Sequence, residues 1–354
     1  MPELGIIDGR FGPLWTAEER AAVVRTLAPA GYRFYHHGPK GDAHLRRRWR
    51  EPHSAATMDE LAAFADLCRS LGMRFGVALT PMDARHPVDP ETRAALVRRV
   101  RELSALGLDD LAILFDDLRG DVPGLAEAQA ELVHLAAEQL RDARMFFCPT
   151  YYSDDPVLDR VFGQRPAAYL PTLGRLLDPT IRIYWTGEEV CAREMRPGHL
   201  ADVAEQLGRK IVLWDNYPVN DGARMSRHLH LRAFTGRDPA CAALLAGHAI
   251  NPAIQPHLGC IPALTLPMSY AQGPGYRYGA ALAEAAHVVA GEALGAMLQA
   301  DLLTLNDAGH DRLSSERTAK LRARYAAHDH PVAREVVGWL DGVGLMSDED
   351  VLTQ

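Results

Sequence analysis

Two adjacent carboxylates, Asp116 and Asp117, close a short apolar run, Leu111–Phe115. Neighbouring carboxylates in unlike surroundings can be split into one ionised group and one protonated acid, the arrangement that general acid–base chemistry needs. The bland alternative is a helix cap or a solvated turn, so the weight of the pair depends on where the fold puts it. Further polar segments also follow apolar runs: Asp8-Gly9-Arg10-Phe11-Gly12, Pro39-Lys40-Gly41-Asp42, Pro149-Thr150-Tyr151-Tyr152, Trp185-Thr186-Gly187, Trp214–Asp221 (WDNYPVND) and Asn251-Pro252. Together they offer carboxylates, amides, hydroxyls and aromatic faces. That set suits a polyhydroxylated ligand, whose hydroxyls need donors and acceptors and whose apolar ring face packs on Trp or Tyr. Cations are few, with Lys40 and Arg10 the main ones, which makes a doubly charged phosphate a poorer match.

The elements that must carry these residues repeat with regularity. Strand-like runs lie at Leu4–Asp8, Tyr32–His36, Arg74–Thr80, Leu111–Phe115, Met145–Cys148, Ile181–Trp185, Lys210–Trp214 and Ala246–Ile250. Between them come helix signals. Thr16-Ala17-Glu18-Glu19 is a capping box, Thr57-Met58-Asp59-Glu60 reads as another, and Asp89-Pro90 pairs an N-cap with Pro at the first helical position. Gly72 and Gly107 close two of the helices, while Gly124–Arg141 and Arg196–Leu207 are amphipathic. Eight strands separated by helix-sized crossovers over about 250 residues predict an α/β fold, a (β/α)8 TIM barrel. In such barrels the residues just past the C-terminal ends of the strands are the catalytic candidates. No GxGxxG or GxxxxGK[ST] follows any strand, which disfavours nucleotide binding. From about residue 270 the strand pattern stops, and Tyr276–Leu303, Arg312–His328 and Pro331–Leu340 read as helices. We therefore expect a catalytic barrel over 1–270 and a small C-terminal helical appendage over 271–354, with Ser347–Asp350 solvated and frayed.

The motifs resemble those of the family 84 glycoside hydrolases, the O-GlcNAcase and bacterial β-N-acetylglucosaminidase group. The resemblance runs through Gly5–Gly9, Phe11-Gly12, Pro39-Lys40, Asp42, His44, Trp49–Pro52, Leu114–Asp117, Cys148–Thr150 with Tyr152, Trp185–Gly187, Trp214–Asp221, and Asn251-Pro252 with Gln255. It covers roughly residues 5 to 270. It implies a retaining β-N-acetylglucosaminidase working by substrate assistance, in which the sugar's own 2-acetamido carbonyl attacks the anomeric carbon and gives an oxazoline. Asp116 then matches the carboxylate that orients the acetamido N–H, and Asp117 the general acid and base. Tyr152, Thr186, Trp214 and Asn216 match contacts around the acetamido group, Asp221 the acceptor for the 4- and 6-hydroxyls, and Gly9, Lys40 and Asn251 the 3-hydroxyl side. No cofactor and no metal is implied. Departures from the family pattern stand at Arg10, Gly41 and Tyr151, and His44 is followed by Leu45; they bear on the subsite that receives the leaving group.

Composition narrows the field from the other side. The chain has 354 residues, 47% of them hydrophobic and 24% charged, with 38 Lys and Arg against 46 Asp and Glu for a net charge of -8. This excludes wholesale disorder and argues against nucleic acid as a partner. No uninterrupted apolar run of membrane-spanning length and no signal-like N-terminus is found, so no membrane association and a cytoplasmic location are expected. Cys68, Cys148, Cys191, Cys241 and Cys260 are scattered and odd in number, which fits free thiols. His36-His37 and His328-Asp329-His330 lack a third ligand at a suitable spacing, and His36 and His37 should face opposite sides of a strand. The run Arg46-Arg47-Arg48-Trp49-Arg50 reads as a solvated or ion-paired loop. Expected partners are N-acetylglucosamine-bearing glycoproteins or glycosides, and apolar faces on the C-terminal helices admit a homodimer. The competing reading is a catalytically impaired, lectin-like N-acetylglucosamine-binding protein, set against by the presence of both Asp116 and Asp117.

Overall fold

The computed structural model describes residues 1–82 and 87–353. Eight strands, β1 (Glu3–Asp8), β2 (Tyr32–His37), β3 (Arg74–Leu79), β4 (Asp110–Leu114), β5 (Arg144–Cys148), β6 (Arg182–Trp185), β7 (Ile211–Asp215) and β8 (Leu245–Ile250), are each within a residue or two of an apolar run. They pair in chain order, all parallel, and β8 returns to β1 to close a barrel. Strands buried on both faces must be apolar almost throughout, which is why they stand out as runs rather than alternations.

The helices between and directly after the strands are α1 (Ala17–Leu27), α2 (Ala55–Ser70), α3 (Pro90–Ser104), α4 (Leu125–Ala137), α5 (Pro156–Phe162), α6 (Tyr169–Leu176), α7 (Pro197–Leu207), α8 (Gly222–Met225) and α9 (Pro256–Gln272). Thr16 and Glu19 form the reciprocal capping box, and Asp89 caps α3 through the Thr92 N–H. For α2 the cap is Ser54, not Thr57. Ser54 Oγ accepts the Thr57 N–H, so the helix starts one turn earlier than the Thr57–Glu60 signature indicates.

The barrel interior is filled with rings, as an eight-stranded barrel requires. Phe34, His36, Phe146 and Tyr184 interlock, with His36 held between the Tyr184 hydroxyl (2.6 Å) and Asp110 (3.0 Å). Gly5 leaves the space for Phe34: a Cβ there would lie 2.2 Å from its ring. His37, on the other face, points toward Asp42.

Beyond β8, α9 packs on α1 and so completes the barrel wall. Next come α10 (Tyr278–Ala300), α11 (Ser315–Ala326), α12 (Pro331–Leu340) and α13 (Asp348–Thr353). By length and apolarity α10 could cross a membrane, which a search for an uninterrupted apolar run misses because Glu284 and Glu292 break it. It buries Leu282, Ala285, Ala286 and Leu294 and packs on α9 and α12. The segment Ser347–Asp350 is exposed but not frayed: it opens α13, with Ser347 and Asp350 exchanging hydrogen bonds across the first turn.

Candidate active site

Phe115 extends the β4 ladder by one bond to the Cys148 carbonyl (2.9 Å), and its own carbonyl accepts the Thr150 hydroxyl (2.9 Å). That anchoring fixes where the next two residues emerge at the barrel mouth. Asp116 is buried; Asp117 adopts a left-handed backbone (φ 62°), a region that costs a non-glycine residue about 1 kcal/mol or more. The turn sends the two carboxyls to different places. Lys40, from the loop after β2, donates to Asp116 Oδ2 and lies 3.6 Å from Asp117 Oδ2. Asp116 Oδ1 is buried with no protein donor among the described residues, so its lone pairs are unclaimed by the protein. Asp117 Oδ1 meets the Tyr152 hydroxyl at 3.4 Å. Burial, with the Asp116 charge beside it, pushes the Asp117 carboxyl above the usual carboxylate range against the opposing pull of Lys40 and Arg46.

The eight-residue run after β7 divides its labour by position. Trp214, Asn216, Val219 and Asp221 face the cavity. Asp215 and Asn220 turn into the fold: Asp215 binds Arg237 (2.6 and 2.8 Å) and His248 (3.0 Å), and Asn220 ties Ile254, Gln255 and the His228 carbonyl together. Arg237 in turn donates to the Ala192 and Arg193 carbonyls, which fixes the β6–α7 loop beside Val190 and Cys191. Asn216 Oδ1 accepts from both Trp214 Nε1 (3.0 Å) and Asn251 Nδ2 (3.1 Å), its own amide donates to the Val190 carbonyl (2.8 Å), and Asn251 Oδ1 accepts the Gly9 N–H (3.2 Å). The amides, the indole and the end of β1 are thus one network. Gly9 is needed there, because a Cβ would lie 2.4 Å from the Trp214 ring.

Asp221 Oδ2 accepts the Phe11 N–H (2.7 Å). Although it precedes α8, its side chain makes no capping hydrogen bond, which removes the turn-capping explanation for it. Burial pushes its carboxyl up to about 6, despite the Phe11 N–H, with the Asp117 charge adding to the rise.

All ten candidates converge. Gly9, Lys40, Asp116, Asp117, Tyr152, Thr186, Trp214, Asn216, Asp221 and Asn251 line one cavity of about 170 Å³ at the C-terminal mouth of the barrel. Five further residues line it without having been singled out as site residues: Phe11, Cys148, Val190, Cys191 and Val219. Phe11, Cys148 and Val219 lie inside motifs already noted; Val190 and Cys191 belong to a loop with no local signal.

The departures resolve into neighbours of the cavity. Arg10 is fully buried, stacks on Trp15 and donates to the Pro13 carbonyl (2.7 Å), so it is not a ligand cation. Tyr151 turns away to the Gly163 carbonyl (2.6 Å). Gly41 abuts the Gly12 carbonyl, and Asp42 beside it is held ionised, well below the usual carboxylate range, by His37 and His53. The basic run is a partial correction. Arg47 and Arg48 are exposed and Arg48 pairs with Glu51, but Arg46 and Trp49 are buried.

By its similarity to known proteins the chain falls in the glycoside hydrolase class. The chain belongs to the β-N-acetylglucosaminidase family, family 84 of that class, whose model matches residues 4–302. It is 29% identical over 258 residues to the Protein O-GlcNAcase of Mus musculus and, at the same identity and length, to that of Rattus norvegicus. Those matches cover 70% of this chain and 28% of each relative, so the chain matches under a third of their length. A Thermobaculum terrenum O-GlcNAc hydrolase, solved as a mutant with one aspartate changed to asparagine, superimposes with a TM-score of 0.79 at 26% identity, covering 96% of this chain and 81% of that one.

Proposed function

We propose that the protein is a retaining β-N-acetylglucosaminidase that releases terminal β-linked N-acetylglucosamine by substrate assistance. The observation that carries this reading is the pair of unlike carboxyls: Asp116, bound by Lys40 with one oxygen buried and open, and Asp117, raised by burial and beside the cavity. The open Asp116 oxygen receives the acetamido N–H, which turns the acetamido carbonyl oxygen toward the anomeric carbon. That oxygen forms the new bond to carbon as Asp117 gives its proton to the glycosidic oxygen, and the leaving group departs with the bonding electron pair. In the second half Asp117, now ionised, takes a proton from the water that attacks the anomeric carbon and reopens the oxazoline. Neither carboxylate bonds to the sugar, which is the substrate-assisted exception to the two-carboxylate scheme.

The other roles are those the family resemblance implies, for residues that line the one cavity. Tyr152, Thr186, Trp214 and Asn216 enclose the acetamido group; Asp221 accepts the 4- and 6-hydroxyls; Gly9, Lys40 and Asn251 serve the 3-hydroxyl side. The cavity, at about 170 Å³, is below the range of about 300–1,000 Å³ of pockets for larger ligands and suits a single terminal sugar. Glycoproteins and glycosides bearing that sugar are the proposed substrates.

The test is hydrolysis of an aryl N-acetyl-β-glucosaminide followed by proton NMR. The β-anomer is expected as first product, with the corresponding plain glucoside uncleaved because it carries no internal nucleophile. A first-formed α-anomer, or equal turnover of the glucoside, would end the reading.

A further inference from the structure

Arg46 is a buried arginine at the edge of the site that the ligand contacts leave unused. Its backbone is fixed to the barrel: the neighbouring Leu45 carbonyl accepts the Thr80 N–H at the end of β3 (2.8 Å), and Leu45 and Trp49 on either side are buried. Its guanidinium stacks on Phe11, which lines the cavity, at 5.2 Å from the ring centre. One nitrogen, Nη2, lies 3.8 Å from Asp117 Oδ2. Among the described residues Asp117 is its sole carboxylate neighbour, and Nε and Nη1 are buried with no hydrogen-bond partner. A buried guanidinium is costly unless a carboxylate neutralises it. Arg46 therefore gains most when Asp117 is ionised and least when Asp117 carries its proton.

We propose that Arg46 is a positioning residue for the acid–base cycle: it stabilises the Asp117 carboxylate left after proton donation and so readies Asp117 as the base of the second half-reaction. This rests on the glycosidase reading above. Two cations, Lys40 and Arg46, face the Asp116–Asp117 pair, and they are not equivalent. Lys40 donates to Asp116 and is shared with Asp117, 3.6 Å from its Oδ2, whereas Arg46 faces Asp117 alone, at 3.8 Å. The remaining groups facing Asp117 are Asp116 on its own loop, Tyr152 and Cys148 from the end of β5, and Asp221 from the loop after β7. The two carboxylates oppose its ionisation, and the phenol and thiol are neutral through the working range because burial raises both well above their ordinary values.

Removing a positive charge at this distance should raise the proton affinity of Asp117 by about 1 unit, the low end of the range for a close opposite charge because Lys40 remains. Arg46→Met is compared with the parent on two substrates. With the phenyl glycoside, whose leaving group needs a proton, the basic limb of the kcat/KM profile should move up by about 1 pH unit. With the 2,4-dinitrophenyl glycoside, whose leaving group departs unaided, kcat reports the base step and its acidic limb should move in the same direction. Arg46→Lys, which restores the charge, should return both limbs toward the parent. Activity lost with both limbs unmoved, or Arg46→Lys moving them as far as Arg46→Met, overturns the proposal in favour of a packing role on Phe11. If Arg46→Met does not fold, Arg46→Gln is read in its place. A parent that cleaves neither substrate instead overturns the glycosidase reading, so the two failures are distinct.

Discussion

The same burial that suits Asp221 to bind sugar hydroxyls costs the fold something. Its carboxyl is raised to about 6 in the folded protein, against about 4 for a free aspartate. A raised acid holds its proton more tightly when folded, so its contribution to stability is full below about pH 4 and is lost as pH climbs through about 6. Asp221→Asn keeps an acceptor for the Phe11 N–H and cannot ionise. Its melting temperature should therefore exceed the parent's at pH 8, with the gap closing at pH 4. The amide cannot replace a charged acceptor of hydroxyls, so kcat/KM should fall by at least about 2 kcal/mol in transition-state terms. Thermal melts at both pH values, with kinetics on the same preparations, check this. A gap independent of pH would mean that the carboxyl does not titrate as described. Side chains of this kind were legible in the sequence because each lies in a polar segment that follows an apolar run, where a barrel has its mouth. Arg46 was not. Whether a charged residue is buried depends on its tertiary partner, here Asp117 on another strand end, and a stretch dense in arginine offers no local sign of it.

Elements hold these side chains through contacts that no pattern of hydrophobicity encodes. The strands could be read almost to the residue, since parallel strands in a barrel are apolar on both faces and end where the polar loops begin. Loop anchoring could not, because it runs between distant segments. Asp215 illustrates the difference: it sits between two cavity-lining residues yet binds Arg237 and His248, and Arg237 carries the bond onward to the Ala192, Arg193 and Thr235 carbonyls. Arg237→Met would leave Asp215 short of its cation and strand those carbonyls. Losing one partner of a buried pair costs about 3–5 kcal/mol. Because the freed segment follows Val190 and Cys191 on the cavity wall, the variant should also raise KM for the aryl glycoside more than it lowers kcat. Urea unfolding and steady-state kinetics on one preparation decide it. Full stability would show that the pair is dispensable, and an unchanged KM that the loop does not need its anchor.

At the scale of the whole molecule, the C-terminal helices are bound to the loop that carries Asp221. Trp339 on α12 donates to the Ser226 carbonyl (3.0 Å), the Met346 N–H donates to Ser226 Oγ (3.0 Å), and the Met346 sulfur accepts the Gly222 N–H (3.4 Å). Gly222 directly follows Asp221, and α13 packs on α8. Glu335 reaches back to the barrel as well, accepting the His257 and Leu258 N–H groups (2.8 Å each) at the start of α9, where a carboxylate satisfies free donors and meets the favourable end of the helix dipole. Trp339 is fully buried against this junction, so Trp339→Ala should cost about 3–5 kcal/mol, the cost of emptying a large aromatic site. If the helices were a mere appendage, the folded variant would turn over substrate at the parental rate. If they brace the loop after β7, kcat/KM per folded molecule should fall as well, and the loss should be smaller in an Asp221→Asn background, where the contact the brace protects is already gone. That non-additivity is the decisive quantity, since independent sites add and coupled ones do not. A double-mutant cycle on kcat/KM measures it, and strictly additive losses would separate the helices from the site.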